Sequence, residues 1–524
     1  MTEAKHVNTM YLFRYKLNTY IRKKEINGRE YFYEMTAYWD REKKKTRYHS
    51  KYLGVQKENG IEKIRTHLPR NIFVYGPFIP VLRIIREMGI ESTLDSFFNR
   101  EDRNAIIAFT AARAIRSLPA DLVRTWYDGT YLSREYPCDV SSQHISRLLN
   151  DIGDSAIPDR FFSAFSSLMK PQSSLLYDIT TIASYSTNSI FEYGHAKDHA
   201  DLPEINLSLV MERKRSLPVL FEIYPGSIVD VSTLEITLKR ISNLVPEIAI
   251  ILDRGFFSLD NLRLLHDHGY IISATYSRKE VKHVFSANMK RLDSADNTVI
   301  HNGRPIFAMH VDFSIMDLSL KGYLYHDLDL EMRERSNFHR HIRDAMDAME
   351  RTVPGEKRNA QIAQIRSIEG EYWKYIRTTV RDGKYHTEAR NNAISQRENR
   401  MGRFLLVYRG EYTPSECLDL YRDKDRVEKA FEIMKTDLDI FPLRERKPST
   451  IRGLIFILYL SLIVRLSMRR MLTESGLNRK YSLDKLFLEL EKLQIMEIDG
   501  KMIERERTKQ QNEILKAIQS ITCT

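Results

Sequence analysis

Two aliphatic runs in this chain carry an aspartate where a core strand should carry none. Leu175 to Thr180 (LLYDIT) encloses Asp178, and Ile248 to Leu252 (IAIIL) ends on Asp253. A run that is apolar at nearly every position, rather than at every second one, implies a strand covered on both faces, as in the parallel sheets of α/β folds. A carboxylate beside such a strand is costly unless it is paired or binds a metal. A lone acid of this kind more often caps a neighbouring helix or meets a buried arginine. Two of them on neighbouring strands point to a shared site.

The segments around these runs extend the pattern. Ser189 to His195 (SIFEYGH) reads as a strand partner for LLYDIT, and Leu207 to Met211 and Leu217 to Tyr224 read as further strands, closed by Pro225–Gly226. Leu234 to Leu244 is helical, IAIILDRG is a strand, Leu259 to His268 is a helix and YIISATY is a strand. Hairpin-like strands followed by helix, strand, helix, strand is the order of an RNase H-like α/β core. Residues 281–402 break the rhythm with a β-like piece (RPIFAMHVDFSIM) and a charged helix, Asp329 to Arg351, and are expected to be an inserted domain. The core then resumes over 403–475, with GRFLLVY as a strand and helices at Thr413 to Leu438 and Leu454 to Met471.

Outside the core (171–280 and 403–475), three more regions are expected. Residues 1–75 form a β-rich module: Tyr31 to Trp39 and Thr46 to Leu53 alternate basic and aromatic residues, Asn27–Gly28 is a hairpin-type turn and Asp40 to Lys45 a charged one. Such a sheet suits a DNA surface and equally a solvated edge. Residues 76–170 form a helical DNA-binding region. Within it, a helix capped by Ser141 or Ser142 and stopped by Gly153 carries His144, Ser146 and Arg147, the layout of a helix-turn-helix reader or of an ordinary bundle helix. Residues 476–524 form a helical C-terminal tail.

Composition narrows the partners. Lys plus Arg outnumber Asp plus Glu by 81 to 70, a net charge of +11 that favours a polyanion such as nucleic acid, though solubility alone accounts for it as well. Three scattered cysteines with no CxxC pair fit a reducing compartment and exclude a disulfide scaffold. The apolar stretch Leu454 to Leu466 is shorter than the ~20 residues of a membrane span and is expected to be a core helix. No phosphate-binding glycine loop of the GxxxxGK[ST] type occurs, so ATP is not indicated. His195 and His199 have a metal-compatible spacing, but Gly194 and the charged residues around them fit a polar loop better.

A third acid completes the set. In Tyr421 to Lys435 (YRDKDRVEKAFEIMK), a continuous helix advancing about 100° per residue would gather Tyr421, Lys424, Glu428, Phe431 and Lys435 within an arc of roughly 80°. Val427, Ala430 and Met434 would pack inward. Lys and Glu on a solvent face are ordinary; mixed with Tyr and Phe they suit a nucleic-acid surface. Phosphodiester hydrolysis needs an activated nucleophile and a stabilised leaving oxygen, which two Mg²⁺ ions ~3.5–4 Å apart supply. Mg²⁺ prefers a few carboxylates together with water and substrate phosphate. Lys424 and Lys435 would then meet phosphates, and Tyr421 a phosphate or an unpaired base.

Taken together, Tyr421, Lys424, Glu428 and Lys435, YDIT at Asp178, GHAKDHADLPE (Gly194 to Glu204) and DRGFFSLDNL from Asp253 resemble the DDE-type insertion-sequence transposases of bacteria and archaea. The most similar group carries a Tyr-x₂-Arg-x₃-Glu-x₆-Lys signature and a β-rich insertion before the glutamate. Lys424 stands at the arginine position, keeping the charge and losing the bidentate fork. The resemblance spans roughly residues 170–470. It implies that Asp178, Asp253 and Glu428 are the catalytic and metal-binding triad for Mg²⁺, with Mn²⁺ able to substitute. It also implies DNA contacts from Tyr421, Lys424 and Lys435, binding of double-stranded DNA at terminal inverted repeats, and transfer of 3′-OH ends to target DNA by a homodimer on the nucleoid of a prokaryotic cytoplasm. The alternatives are a metal-dependent nuclease without strand transfer and a non-catalytic DNA-binding protein derived from a transposase. A glycosidase with two working carboxylates fits the basic surplus and the Tyr/Lys/Glu/Lys face less well.

Overall fold

The computed structural model describes residues 19–26, 29–40, 42–57, 60–62, 71–171, 174–184, 202–227, 230–244, 249–440, 443 and 445–522. Asn27–Gly28 and the segment 185–201, with SIFEYGH, His195 and His199, lie outside the described residues. The chain divides into one unit of residues 1–72 and 495–505 and a second of 73–494 and 506–524.

The first unit is built on an antiparallel meander of β1 (Thr19–Ile26), β2 (Arg29–Asp40), β3 (Lys45–Lys57) and β4 (Gly60–Glu62). At the β2–β3 turn the Asp40 carboxylate accepts hydrogen bonds from the backbone N–H of Glu42 (3.2 Å) and Lys43 (3.1 Å). This is the local side-chain turn for which Asp is favoured. A bulge at Phe32/Tyr33 bends β2 against β3.

The second unit begins within β5 (Asn71–Val74) and continues through seven helices: α1 (Phe78–Glu87), α2 (Ile90–Asp95), α3 (Arg100–Arg116), α4 (Ala120–Asp128), α5 (Leu132–Glu135), α6 (Ser142–Asp154) and α7 (Ile157–Met169). This is the helical region expected over 76–170, but its apolar residues join the same core as the sheet below. Ser141 caps α6 by accepting from the His144 N–H (3.3 Å). Gly153 does not stop the helix, which runs to Asp154. A Cβ at Gly153 would lie 1.8 Å from the Ser449 carbonyl oxygen, so the glycine is there for close packing. His144, Ile145, Leu148, Leu149 and Ile152 are buried, so one face of α6 packs into the core while Ser146 and Arg147 stay exposed.

The sheet comprises β6 (Leu175–Ala183), β7 (Glu204–Glu212), β8 (Leu217–Pro225), then α8 (Asp230–Leu244), β9 (Ile250–Leu252), α9 (Leu259–Leu264) and β10 (Tyr270–Ser273). Every residue of β7 is buried, as expected for a strand covered on both faces. β6 pairs antiparallel with β7 along its whole length and parallel with β9 over its first three residues. β9 pairs parallel with β10.

The inserted region differs from expectation. After α10 (Lys279–Leu292), the strands β11 (Thr298–His301), β12 (Arg304–Ile315) and β13 (Leu318–His326) extend the main sheet. What stands apart is α11 (Leu328–Arg351), α12 (Arg358–Glu369), the hairpin β14 (Ile376–Arg381)–β15 (Lys384–Ala389) and α13 (Asn391–Glu398). These share a small core of Phe338, Ile342, Ala345, Tyr375, Ile376, Ile394 and Met401. The separate body therefore begins near residue 328 rather than 281, because the apolar strands before it find a place on the sheet edge. β16 (Arg403–Arg409) closes the order β11-β12-β13-β16-β10-β9-β6-β7-β8, a nine-stranded mixed α/β sheet.

Beyond it lie α14 (Pro414–Arg422), α15 (Asp425–Glu432) and α16 (Pro448–Glu474). At 27 residues α16 is long and apolar enough to cross a membrane, so the length argument made from Leu454 to Leu466 fails. Burial argues instead for a core helix: 89% of its most apolar window is inside the protein. A Cβ at Gly453 would lie 2.0 Å from the Leu149 carbonyl oxygen, so α6 and α16 cross backbone against backbone. The tail is not wholly helical. α17 (Leu483–Glu491) and α18 (Lys509–Gln519) flank a hairpin of β17 (Gln494–Ile498) and β18 (Lys501–Glu504), turned by Asp499–Gly500 with both φ angles positive, at 50° and 76°.

Candidate active site

The register of the central strands sets the first two acids side by side. Tyr177 of β6 is the parallel partner of Leu252 of β9, so the next residues along, Asp178 and Asp253, emerge together. Neighbouring strands lie about 4.8 Å apart. β9 is only three residues long, and Asp253 leaves it as the N-cap of a short 3₁₀ turn, Arg254–Phe256. The Ile179 N–H donates to the Asp178 carboxylate (2.9 Å) and holds it against the strand.

The third acid arrives on a broken helix. Thr413 and Glu416 form a capping box that starts α14, with Pro414 at its first turn. α14 ends at Arg422, Asp423 and Lys424 form a turn, and α15 begins at Asp425. The expected continuous helix from Thr413 to Leu438 is thus interrupted, and its last turn, Ile433–Asp437, is π-helical. Asp423 anchors the break: it accepts from Arg213 at the β7–β8 turn and from Arg426 (3.0 Å), while Arg426 also donates to the Arg213 carbonyl (2.8 Å). Val427, Ala430 and Met434 are buried as the helix face requires. Phe431, expected on the outer face, is buried too, because an aromatic ring at the α15–sheet boundary gains more from the core than from water.

Lys424 joins the acids. Its ammonium lies 3.2 Å from Asp253 Oδ1 and 2.6 Å from Glu428 Oε1, and its side chain is only 11% exposed. The Tyr421 hydroxyl donates to Asp253 Oδ1 (3.3 Å). Tyr421, Lys424, Glu428, Asp253 and Asp178 therefore share one site. Lys435 lies further along, half-buried in the π-helical turn. That wider turn departs from the α-helical spacing on which its placement beside Glu428 was based.

The electrostatics follow from this crowding. Burial pushes the Asp178 carboxyl up to about 7; the Ile179 N–H and Lys424 oppose the shift, while Asp253 and Glu428 reinforce it. Burial also raises Asp253, but Lys424 and the Arg254 N–H outweigh it and hold that carboxyl below its ordinary value. For Lys424, desolvation pulls the ammonium down and its two carboxylate partners more than restore it, so it stays charged. Burial beside Asp253 pushes the Tyr421 phenol up to about 12. Asp178 thus keeps its proton more readily than an ordinary carboxyl, and its charged form is favoured only where a cation stands beside it. Three hard oxygen donors with surplus negative charge have the chemistry of a Mg²⁺ site. The spacing does not close one: among the described residues, no three His, Cys, Asp or Glu side chains stand together as a metal-holding group.

Several residues here carried no signal in the sequence. Arg422 donates to Asp327 (2.6 Å) at the start of α11 and hydrogen-bonds the buried His301 ring (3.0 Å), whose other nitrogen meets Asp419 (2.6 Å). This network ties α14 to β11 and α11 and borders a cleft of about 1190 Å³ that Tyr421 also lines. Its members are far apart in sequence and share no motif.

No family model matches the chain, and no curated protein matches it. Among solved structures it is similar to a piggyBac transposase, in a cryo-EM synaptic complex with hairpin DNA. Identity is 12% over 80% of each chain, with a TM-score of 0.36. A likeness this loose says nothing about the site.

Proposed function

We propose that the chain is a DDE-type DNA transposase with an RNase H-like core, and that Asp178, Asp253 and Glu428 form its catalytic triad. The observation that carries this reading is the convergence of those three acids, from β6, the end of β9 and α15, around one lysine and one tyrosine. The sheet adds support: β8, β7 and β6 are antiparallel, and β9 and β10 then add in parallel, the strand order of an RNase H-like core. A ligand site at the carboxyl ends of parallel strands is the general habit of α/β sheets. The net charge of +11 suits a DNA partner.

In this reading the three carboxylates hold Mg²⁺, or Mn²⁺ in its place, which when bound would activate the attacking hydroxyl and stabilise the leaving oxygen. Lys424 turns from the acids to a DNA phosphate, Lys435 meets a second phosphate, and Tyr421 positions the strand beside Asp253. The substrates are double-stranded terminal inverted repeats and target DNA, brought together by a homodimer in a prokaryotic cytoplasm. A second reading has one observation in its favour: the Lys424 ammonium already bridges Asp253 and Glu428, as it would in a transposase-derived DNA-binding protein that no longer cuts.

The test is DNA carrying the gene's flanking ends, incubated with Mg²⁺ and either the native protein or Glu428→Gln. Cleavage by the native protein alone, with both proteins binding, supports the triad. Equal cleavage by both removes Glu428 from it. Binding without cleavage by either moves the second reading ahead. Joined products separate a transposase from a nuclease, and a chelator must abolish both activities.

A further inference from the structure

The triad makes no use of the N-terminal sheet, whose two faces differ sharply. Directly opposed residues of an antiparallel pair share a face, as do residues two apart on one strand. Tyr20 stands opposite Met35, Arg22 opposite Tyr33 and Lys24 opposite Tyr31. On the other side of β2, Tyr33 stands opposite Tyr52, Ala37 opposite Tyr48 and Trp39 opposite Thr46. These positions all belong to one face. Across β1, β2 and β3 it carries no carboxylate; the acid that register assigns to it is Glu62 on the edge strand β4, opposite Val55. On the opposite face Lys23 pairs with Glu30, Arg47 with Asp40 (3.1 Å) and Lys51 with Glu34 (3.8 Å), so its charges largely cancel. Among the described residues Arg22 and Lys24 have no carboxylate partner. Instead the Lys24 ammonium sits 5.3 Å from the centre of the Tyr33 ring.

The aromatic residues of the basic face are also open to solvent. Trp39 is 61% exposed, Tyr48 52% and Tyr20 39%. Tyr20 and Tyr48 meet edge to face at 6.0 Å and 82°, an arrangement that leaves ring surface free. Flat rings beside unneutralised cations suit a polyanion whose subunits have π-faces. Bases in a duplex are stacked on one another and closed to such rings, whereas those of a single strand are available.

We propose that this face binds an unpaired DNA strand, with bases stacked on Tyr20, Tyr48 and Trp39 and phosphates held by Arg22 and Lys24. The site stands whether or not the triad cuts DNA. If it does cut, the sheet would hold the strand that cleavage or end-opening frees.

The experiment titrates the full-length protein against a fluorescent oligodeoxythymidylate of about twelve nucleotides, in EDTA so that cleavage plays no part. Trp39→Ala and Tyr48→Ala should each weaken binding on the order of tenfold. Tyr38→Ala, at the adjacent position on the opposite face and 49% exposed, should leave it unchanged. Arg22→Gln should lower the salt dependence by about one phosphate contact. Native protein should show tryptophan quenching on binding that Trp39→Phe loses while retaining most of its affinity, a readout that remains if the alanine variant misfolds. Equal losses at Tyr38 and Trp39, no loss at either ring, or duplex binding as tight as single-strand binding would each overturn the proposal. Much tighter binding of an oligouridylate would overturn the assignment to DNA. Because the titration is run in EDTA and reads only oligonucleotide binding, while the triad is read by cleavage in Mg²⁺, failure of the triad and failure of this face are read separately.

Discussion

The N-terminal meander and the nine-stranded sheet are both β-structure, yet different forces hold them. In the meander Met35 is the only large apolar side chain fully buried among the described strands β1 to β4, and cross-strand ring contacts and ion pairs make up much of what remains. In the large sheet all nine residues of β7 are buried, and α16 is packed against α3, α6 and β8. Charge is distributed in the opposite sense. The meander spreads its charges over solvated faces, where each pair contributes little. The large sheet sets Asp178 and Asp253 side by side with Glu428 of α15 close to Lys424, and desolvation makes a neighbouring cation matter most at Asp178. A half-solvated sheet tolerates surface change, whereas a doubly covered one does not.

The largest effect expected from this contrast is chemical. Asp178→Asn should lower Mg²⁺-dependent cleavage at least about a hundredfold, the scale of losing one positioned or stabilising group, with thermal unfolding near that of the parent. Cleavage at the parent rate would remove Asp178 from the chemistry. Next comes Phe431→Ala, which should cost about 3–5 kcal/mol in denaturant unfolding because the ring is buried under α15. If stability is unchanged and only DNA affinity falls, the ring faces outward after all.

Gly453→Ala forces a methyl against the Leu149 carbonyl at the helix crossing and should cost about 1–3 kcal/mol, lowering the unfolding temperature. Gly500→Ala meets nothing within 4 Å but must adopt a φ of 76°, so about 1–2 kcal/mol of backbone strain is expected, localised to the β17–β18 hairpin. Hydrogen exchange would separate these two, since the first should loosen the core and the second only the turn. The smallest effect is Lys51→Ala on the meander, expected at less than about 1 kcal/mol and vanishing at high salt. A larger loss would mean that the meander's ion pairs matter more than solvation allows.

Much of this architecture was legible in the chain, for identifiable reasons. LLYDIT, LPVLFEIY and GRFLLVY are strands because continuous apolar runs of that length have few other places to go. Three hairpins are written in local dipeptides: Asn302–Gly303, Asp382–Gly383 and Asp499–Gly500 all turn with positive φ, the signature of tight two-residue turns. Those dipeptides encode β-structure in the tail and a hairpin within the insertion. The break at Asp423–Lys424 was not legible, since the helical period runs through it. It depends on Arg213, which lies at the β7–β8 turn some two hundred residues earlier in the chain.

By itself the sequence determined which segments are strands and helices and which acids are embarrassed by their neighbours, because periodicity and burial cost are local properties. Tertiary structure alone decided that β11 to β13 join the main sheet, that Phe431 turns inward, and that Lys424 reaches Asp253. Each of these is a contact between residues distant in the chain, and its energy exists only once the intervening elements have packed.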